Sequence, residues 1–70
     1  MEMMFTTEEE NLVGMYREKS RMDTIDALCY VLEYISDDTM IRLVYETIGK
    51  LQKMSDGEFD NRDFELTVEY

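Results

Sequence analysis

Histidine is absent from the 70-residue chain, and cysteine occurs once, at Cys29. A single cysteine excludes an intramolecular disulfide, and without histidine the chain lacks a common zinc ligand. Nucleophilic catalysis needs a base beside the nucleophile, and Cys29 has no histidine for that role. The fold must therefore rest on apolar packing, and we expect a non-enzymatic protein with no metal and no cofactor.

Signals for phosphate binding, calcium binding and membrane insertion are equally sparse. The glycines Gly14, Gly49 and Gly57 are isolated, so the chain has no glycine-rich phosphate loop. The segment 56–60 lacks the later ligands of a calcium-binding EF-hand. No apolar run approaches the roughly 20 residues of a membrane span, and the N-terminus lacks the basic and apolar regions of a signal peptide. Because an unpaired cysteine suits a reducing compartment, we expect a cytoplasmic protein with no membrane contact.

Basic residues are also scarce, since 17 acids against 7 bases give a net charge of −10. Such a surface repels phosphate backbones and anionic membranes, so direct nucleic-acid binding is unfavourable. It suits a basic partner, or an inhibitor that mimics nucleic acid and blocks a DNA-binding protein. The plain alternative is that the acidity only keeps a small protein in solution.

Apolar residues make up 44% of the chain, and their spacing predicts an all-α fold. We expect one domain, a small bundle of three main helices plus a short fourth helix, with an extended C-terminal tail. The predicted elements are an N-terminal arm at 1–6, helices at 7–19, 22–35 and 38–54, a short helix at 56–62 and a tail at 63–70.

Capping signals mark the helix starts. Helix 1 has two alternative capping boxes, Thr6 with Glu9 or Thr7 with Glu10. Either Ser20 or Asp23 caps helix 2. Ser55 and Glu58 form a further capping box, after which Phe59 is expected to fold back onto Leu51 or Met54.

Each main helix carries an apolar stripe. Helix 2 is apolar nearly all round, which is typical of the central helix of a bundle. Helix 3 is the most amphipathic, with Arg42, Glu46, Gly49, Lys50 and Lys53 on its polar arc. The expected buried stripes are Leu12, Met15 and Tyr16 beside Val13 in helix 1, Ile25, Leu28, Cys29 and Leu32 in helix 2, and Met40, Val44, Ile48 and Leu51 in helix 3.

The tail changes to an alternating pattern. Phe64, Leu66, Val68 and Tyr70 alternate with polar residues, which is typical of a strand. A lone strand needs a partner, so we expect it to pair with the N-terminal arm, with a second copy of the chain in a homodimer, or with a partner's sheet edge. A frayed terminus is an equal alternative.

Tyrosines are numerous for this length, and aromatic residues are enriched at protein interfaces. Tyr30 and Tyr34 share the second face of helix 2, and Tyr45 lies at the edge of the apolar arc of helix 3. The alternative is that they line the rim of a small core. The candidate partner-binding residues are therefore Tyr30, Tyr34, Tyr45, Phe64, Leu66, Val68 and Tyr70.

A helix-turn-helix regulator is a further alternative, because a short turn joins helices 2 and 3. Arg42, Lys50 and Lys53 are the basic residues that a recognition helix would present. Glu46 among them, and the net charge of −10, count against this function.

Three segments carry a resemblance to a known family: Phe5–Leu12, the pair Ser20-Arg21, and Lys50–Phe59 with its Met-Ser-Asp-Gly-Glu-Phe core. Together they resemble the putative transposon-transfer assisting protein family, small acidic proteins of Firmicutes conjugative transposons. The resemblance implies a bacterial, cytoplasmic, non-enzymatic accessory protein that binds a component of the conjugation or transposition machinery. It supplies no catalytic or binding residues.

Overall fold

A computed structural model describes residues 5–62 and Phe64. Those residues form four helices and no strand, so the predicted all-α class is confirmed. The helices are α1 (Thr7–Tyr16), α2 (Arg21–Val31), α3 (Asp38–Lys53) and α4 (Asp56–Asn61). None of the helices within this part of the chain is long and apolar enough to cross a membrane.

Of the two capping boxes predicted for α1, the structure has the one formed by Thr6 and Glu9. Oγ1 of Thr6 accepts the Glu9 N–H at 3.1 Å, while Oε1 of Glu9 accepts the Thr6 N–H at 2.7 Å. At α2 the cap is Ser20, whose Oγ accepts the Asp23 N–H at 3.1 Å. Each side chain satisfies a backbone donor that the first helical turn leaves unpaired, which fixes the helix start.

The predicted capping box of α4 is confirmed. Oγ of Ser55 accepts the Glu58 N–H at 3.1 Å, and Oε1 of Glu58 accepts the Ser55 N–H at 2.9 Å. α3 ends at Lys53 with Met54 as its C-cap, and Phe59 is fully buried in the core. The Met-Ser-Asp-Gly-Glu-Phe segment is thus a helix end, a helix start and a packing aromatic in succession.

Two helices end earlier than their apolar patterns predict. α1 ends at Tyr16 rather than at residue 19, because the next residue, Arg17, is extended and its side chain is bound to carbonyls near α4. α2 ends at Val31 rather than at residue 35. The N–H groups of Glu33 and Tyr34 bond carbonyls three residues back, so the chain tightens into a turn there.

The core lies between the helices, and α2 contacts each of the other three, as expected for the central helix. Partly buried Tyr16, Leu32, Ile35 and Leu43 pack around the core. Its buried apolar members are Phe5, Leu12, Val13, Ile25, Leu28, Val44, Ile48, Leu51, Met54, Phe59 and Phe64.

The predicted stripe of α1 is wrong at Met15, which is 63% exposed. Glu9 is buried instead, together with Leu12 and Val13. Residues 9, 12 and 13 lie on one side of a helix, and Met15 falls outside that arc. The buried Glu9 carboxylate is paired with Lys50 on α3, which compensates its charge.

The predicted stripe of α2 is wrong at Cys29, which is exposed. Thr24 is fully buried in its place. Its Oγ1 accepts the Glu18 N–H at 2.9 Å and donates to the Ser20 carbonyl at 2.9 Å, so its polar group is satisfied inside. On α3 the expected stripe holds from Val44 onwards, while Met40 in the first turn is 37% exposed.

Candidate functional site

One side of α2 and the turn after it faces outward and is covered by nothing in the described part of the chain. The exposed positions within α2 share one arc opposite the buried Ile25 and Leu28, and the exposed Glu33 and Tyr34 follow in the turn. We call this arc the α2 outer face. Its members are Met22, Asp23, Asp26, Cys29, Tyr30, Glu33 and Tyr34.

Two tyrosines are paired on the α2 outer face. The ring centroids of Tyr30 and Tyr34 are 5.0 Å apart at an interplanar angle of 61°, and their hydroxyl oxygens are 2.7 Å apart. The two side chains are 60% and 71% exposed. The hydrogen bond between the two hydroxyl groups raises the pKa of the Tyr34 hydroxyl.

The charges of the α2 outer face are all negative. Asp23, Asp26 and Glu33 are exposed on it, and no basic residue belongs to it. The adjacent Arg21 is directed elsewhere, since its Nε donates to Asp56 at 2.9 Å and its guanidinium also donates to the Leu51 carbonyl at 3.1 Å. No basic side chain among the described residues forms an ion pair with these carboxylates, so the face combines them with an exposed aromatic pair.

Tyr45 lies apart from this pair on the chain. It is 62% exposed on α3, and the described residues show no ring contact between it and Tyr30 or Tyr34. The structure thus brings together two of the three candidate tyrosines of the helices and leaves the third on another element.

Phe64 is not a surface residue, contrary to its place among the candidate partner-binding residues. It is 7% exposed and its ring centroid lies 5.3 Å from that of Phe5 and 5.6 Å from that of Phe59. Packing the Phe64 ring against two other rings is more favourable than exposing it to solvent at the surface. Leu66, Val68 and Tyr70, and with them the predicted strand, lie outside the described residues.

Arginines cover this aromatic cluster. Two N–H groups of Arg17 donate to the carbonyls of Arg62 at 2.8 Å and Phe59 at 3.1 Å. Its guanidinium carbon lies 4.6 Å from the Phe59 ring centroid and 5.5 Å from that of Phe64. Arg62 in turn donates to Glu10 at 3.1 Å and lies over the ring of Phe5. The cluster is a structural clamp that joins α1 to the end of α4.

Lys50 does not belong to a recognition surface. Its ammonium group pairs with the buried carboxylate of Glu9, so of the predicted basic set only Arg42 and Lys53 are exposed on α3. A helix-turn-helix reader needs its basic side chains outward. Of the seven basic residues of the chain, Arg17, Arg21, Lys50 and Arg62 all make contacts within the fold.

The rest of the described surface offers few features that could bind a small ligand or a metal ion. Asp38, Thr39 and Arg42 line a shallow, open depression at the start of α3. No group of three or more His, Cys, Asp or Glu side chains within residues 5–62 is placed to hold a metal ion.

The sequence analysis did not identify Met22, Asp23 and Cys29 as members of the α2 outer face. The signal was present in the acids, because Asp23, Asp26 and Glu33 lie within one narrow arc of the helical wheel and mark its solvent side. The many apolar residues of α2 obscured that arc.

Comparison with known families places the chain in one of them. A family model, described as putative transposon-transfer assisting protein, matches residues 5–65. No curated protein and no solved structure matches the chain. The matched range includes all four helices, the α2 outer face and the Met-Ser-Asp-Gly-Glu-Phe segment.

Proposed function

The chain belongs to the putative transposon-transfer assisting protein family, and from this membership we propose that it is a non-enzymatic accessory protein of a conjugative transposon that acts by binding a protein partner. The family description supports a role in assisting transfer. The absence of histidine, of a second cysteine and of a phosphate loop supports a role other than catalysis.

The observation that carries partner binding is the exposed pair of Tyr30 and Tyr34. Tyrosine rings provide a large contact area with little loss of conformational freedom, so they serve well at interfaces. Here the two rings already contact each other, and no described side chain covers them. Tyr45 is a second candidate contact on α3.

The proposed partner is a component of the conjugation or transposition machinery in the bacterial cytoplasm, such as the element's relaxase, recombinase or coupling protein. A homodimer paired through Leu66, Val68 and Tyr70 is the further association that the alternating tail favours. The mass of the protein in solution tests the homodimer. If the chain is a monomer at working concentration, the homodimer is excluded and the partner must be a different protein.

Transfer frequency tests the proposal. A transposon lacking the gene should transfer less often, and the wild-type gene supplied in trans should restore transfer. A Tyr30→Ala/Tyr34→Ala variant should fail to restore it while keeping the helical circular dichroism of the wild type. Because both side chains are exposed, the fold should tolerate their truncation.

Affinity capture with the tagged chain supplies the second measurement. The wild type should retain one of the element's relaxase, recombinase or coupling proteins, and the Tyr30→Ala/Tyr34→Ala variant should not. Unchanged transfer on loss of the gene would contradict the proposed function. Equal capture by wild type and variant would contradict the tyrosine surface.

A further inference from the structure

We propose that the α2 outer face recognises an arginine-rich segment of the partner protein, with guanidinium groups stacked on Tyr30 and Tyr34 and paired with the neighbouring carboxylates. The inference rests on the proposed function, since it specifies the chemistry of the protein that the chain binds.

Charge is the first argument. Asp23, Asp26 and Glu33 are exposed on the α2 outer face, and Arg21 beside them is held by Asp56. Such an arrangement attracts a cationic segment and repels phosphate backbones and anionic lipids. A basic stretch of protein is therefore the complementary partner.

The tyrosine pair favours arginine over lysine. A guanidinium group is planar, stacks on aromatic faces and still donates two parallel hydrogen bonds to a carboxylate. An ammonium group is more strongly hydrated and offers no flat surface. The Tyr30 and Tyr34 rings lie 5.0 Å apart at 61°, so they present differently oriented surfaces to the solvent.

Spacing along the helix is the third argument. Asp26 and Tyr30 are four residues apart in α2, which corresponds to about 6 Å along a helix. In the turn after α2, the ring centroid of Tyr34 lies 5.0 Å from that of Tyr30, so the three side chains form a row. Alternate residues of an extended chain repeat at roughly 6.6 Å. An extended segment with arginine at every second position can therefore place successive guanidinium groups near successive members of this row.

Fluorescence anisotropy with labelled peptides tests the proposal on the full chain. The probe is a ten-residue peptide that alternates arginine and glycine, and the matched peptides carry lysine or glutamate in place of arginine. The wild type should bind the arginine peptide several-fold more tightly than the lysine peptide and should not bind the glutamate peptide. Raising the salt concentration should weaken binding, because the carboxylates are exposed.

Variants separate recognition from general attraction. Asp26→Asn and Glu33→Gln should each weaken binding about two- to fivefold, the range expected of one exposed ion pair. Glu46→Gln, which removes an exposed carboxylate from α3, is the matched control and should have little effect. Tyr30→Leu/Tyr34→Leu keeps an apolar surface and should abolish the preference for arginine over lysine.

Several results would overturn the inference. They are equal losses from Glu46→Gln and Asp26→Asn, equal binding of the arginine and lysine peptides, or no peptide binding at all. If the Tyr30→Ala/Tyr34→Ala variant still loses capture of a transfer protein under those results, the proposed function stands and only the arginine specificity fails. If capture is unaffected too, the tyrosine surface fails as well, and the transfer frequency of the transposon lacking the gene then decides the proposed function.

Discussion

Nζ of Lys50 on α3 lies 2.5 Å from Oε1 of Glu9 on α1, and the Glu9 side chain is only 1% exposed. The same oxygen accepts the Thr6 N–H that completes the capping box of α1. One carboxylate therefore both starts a helix and joins it to another. The second oxygen of Glu9 is buried without a hydrogen-bond partner among the described residues, so the lysine carries most of the compensation for the buried charge.

Replacing Lys50 should destabilise the protein. Lys50→Met leaves the Glu9 carboxylate buried and unpaired, which costs about 3–5 kcal/mol in a fully buried pair. The Lys50 side chain is 31% exposed and water reaches the site, so we expect a loss of about 2 kcal/mol in the free energy of unfolding. Urea titration followed by circular dichroism measures it.

The double variant Glu9→Gln/Lys50→Met is the control for this explanation. Glutamine removes the buried charge but can still accept the Thr6 N–H of the capping box. The double variant should therefore be more stable than Lys50→Met alone. If it is less stable, packing of the lysine stem rather than charge compensation explains the loss.

Acid should weaken the fold through the same pair. Burial by itself raises the pKa of Glu9, but the hydrogen bonds from Lys50 and Thr6 hold that pKa below its ordinary value of 4.5. The unfolded chain then binds more protons than the folded one near that pH, so stability rises with pH there. The contribution of Glu9 is complete above about pH 4.5 and is lost as the pH falls through the lower folded pKa.

Urea midpoints measured between neutral and acidic pH test this dependence. The fall in stability below about pH 4.5 should be shallower in Glu9→Gln, which no longer titrates there. It should also be shallower in Lys50→Met, because the group that lowers the pKa has gone. Parallel curves for wild type and both variants would show that other groups cause the acid dependence.

Arg17 should not tolerate replacement by lysine. Its planar guanidinium group donates to the carbonyls of both Phe59 and Arg62 and lies over the Phe59 ring. The ammonium group of lysine cannot make these contacts at the same time. We expect Arg17→Lys to lose about 1.5–3 kcal/mol of stability, the range for hydrogen bonds to a charged group. Amide hydrogen exchange should speed up most in α4, which the clamp secures.

Arg42→Lys is the matched control for Arg17→Lys. Arg42 is exposed on α3, so its exchange for lysine should change the free energy of unfolding by less than about 0.5 kcal/mol. Similar losses from both variants would contradict a special role for the Arg17 fork.

Cys29 should behave as a surface residue. Cys29→Ser should change stability by less than about 0.5 kcal/mol, whereas Leu28→Ala beside it removes a fully buried side chain and should cost about 2–5 kcal/mol. Iodoacetamide should alkylate Cys29 in the folded protein, as followed by mass spectrometry. A thiol that reacts only after urea is added would contradict its exposed position.

The candidate site was only partly predictable. Tyr30 and Tyr34 were identified from their shared helical face, and the structure adds that they are in contact. Phe64 was named as a partner-binding candidate from the alternation of the tail, but it packs against Phe5 and Phe59. Alternation describes one segment of chain and carries no information on which distant rings are available to bury a side chain.

The sequence by itself determined the all-α class and narrowed the starts of α1, α2 and α4 to one or two capping residues each. Ser20 and Ser55 act on backbone donors three residues away, so their effect is local and can be found by spacing alone. The tertiary structure decided which side of each helix faces inward. Glu9 is buried because Lys50, 41 residues further along, compensates its charge. On α2 the core takes Thr24, Ile25 and Leu28 and leaves Cys29 exposed, and which side of a helix is covered is decided only when the helices pack.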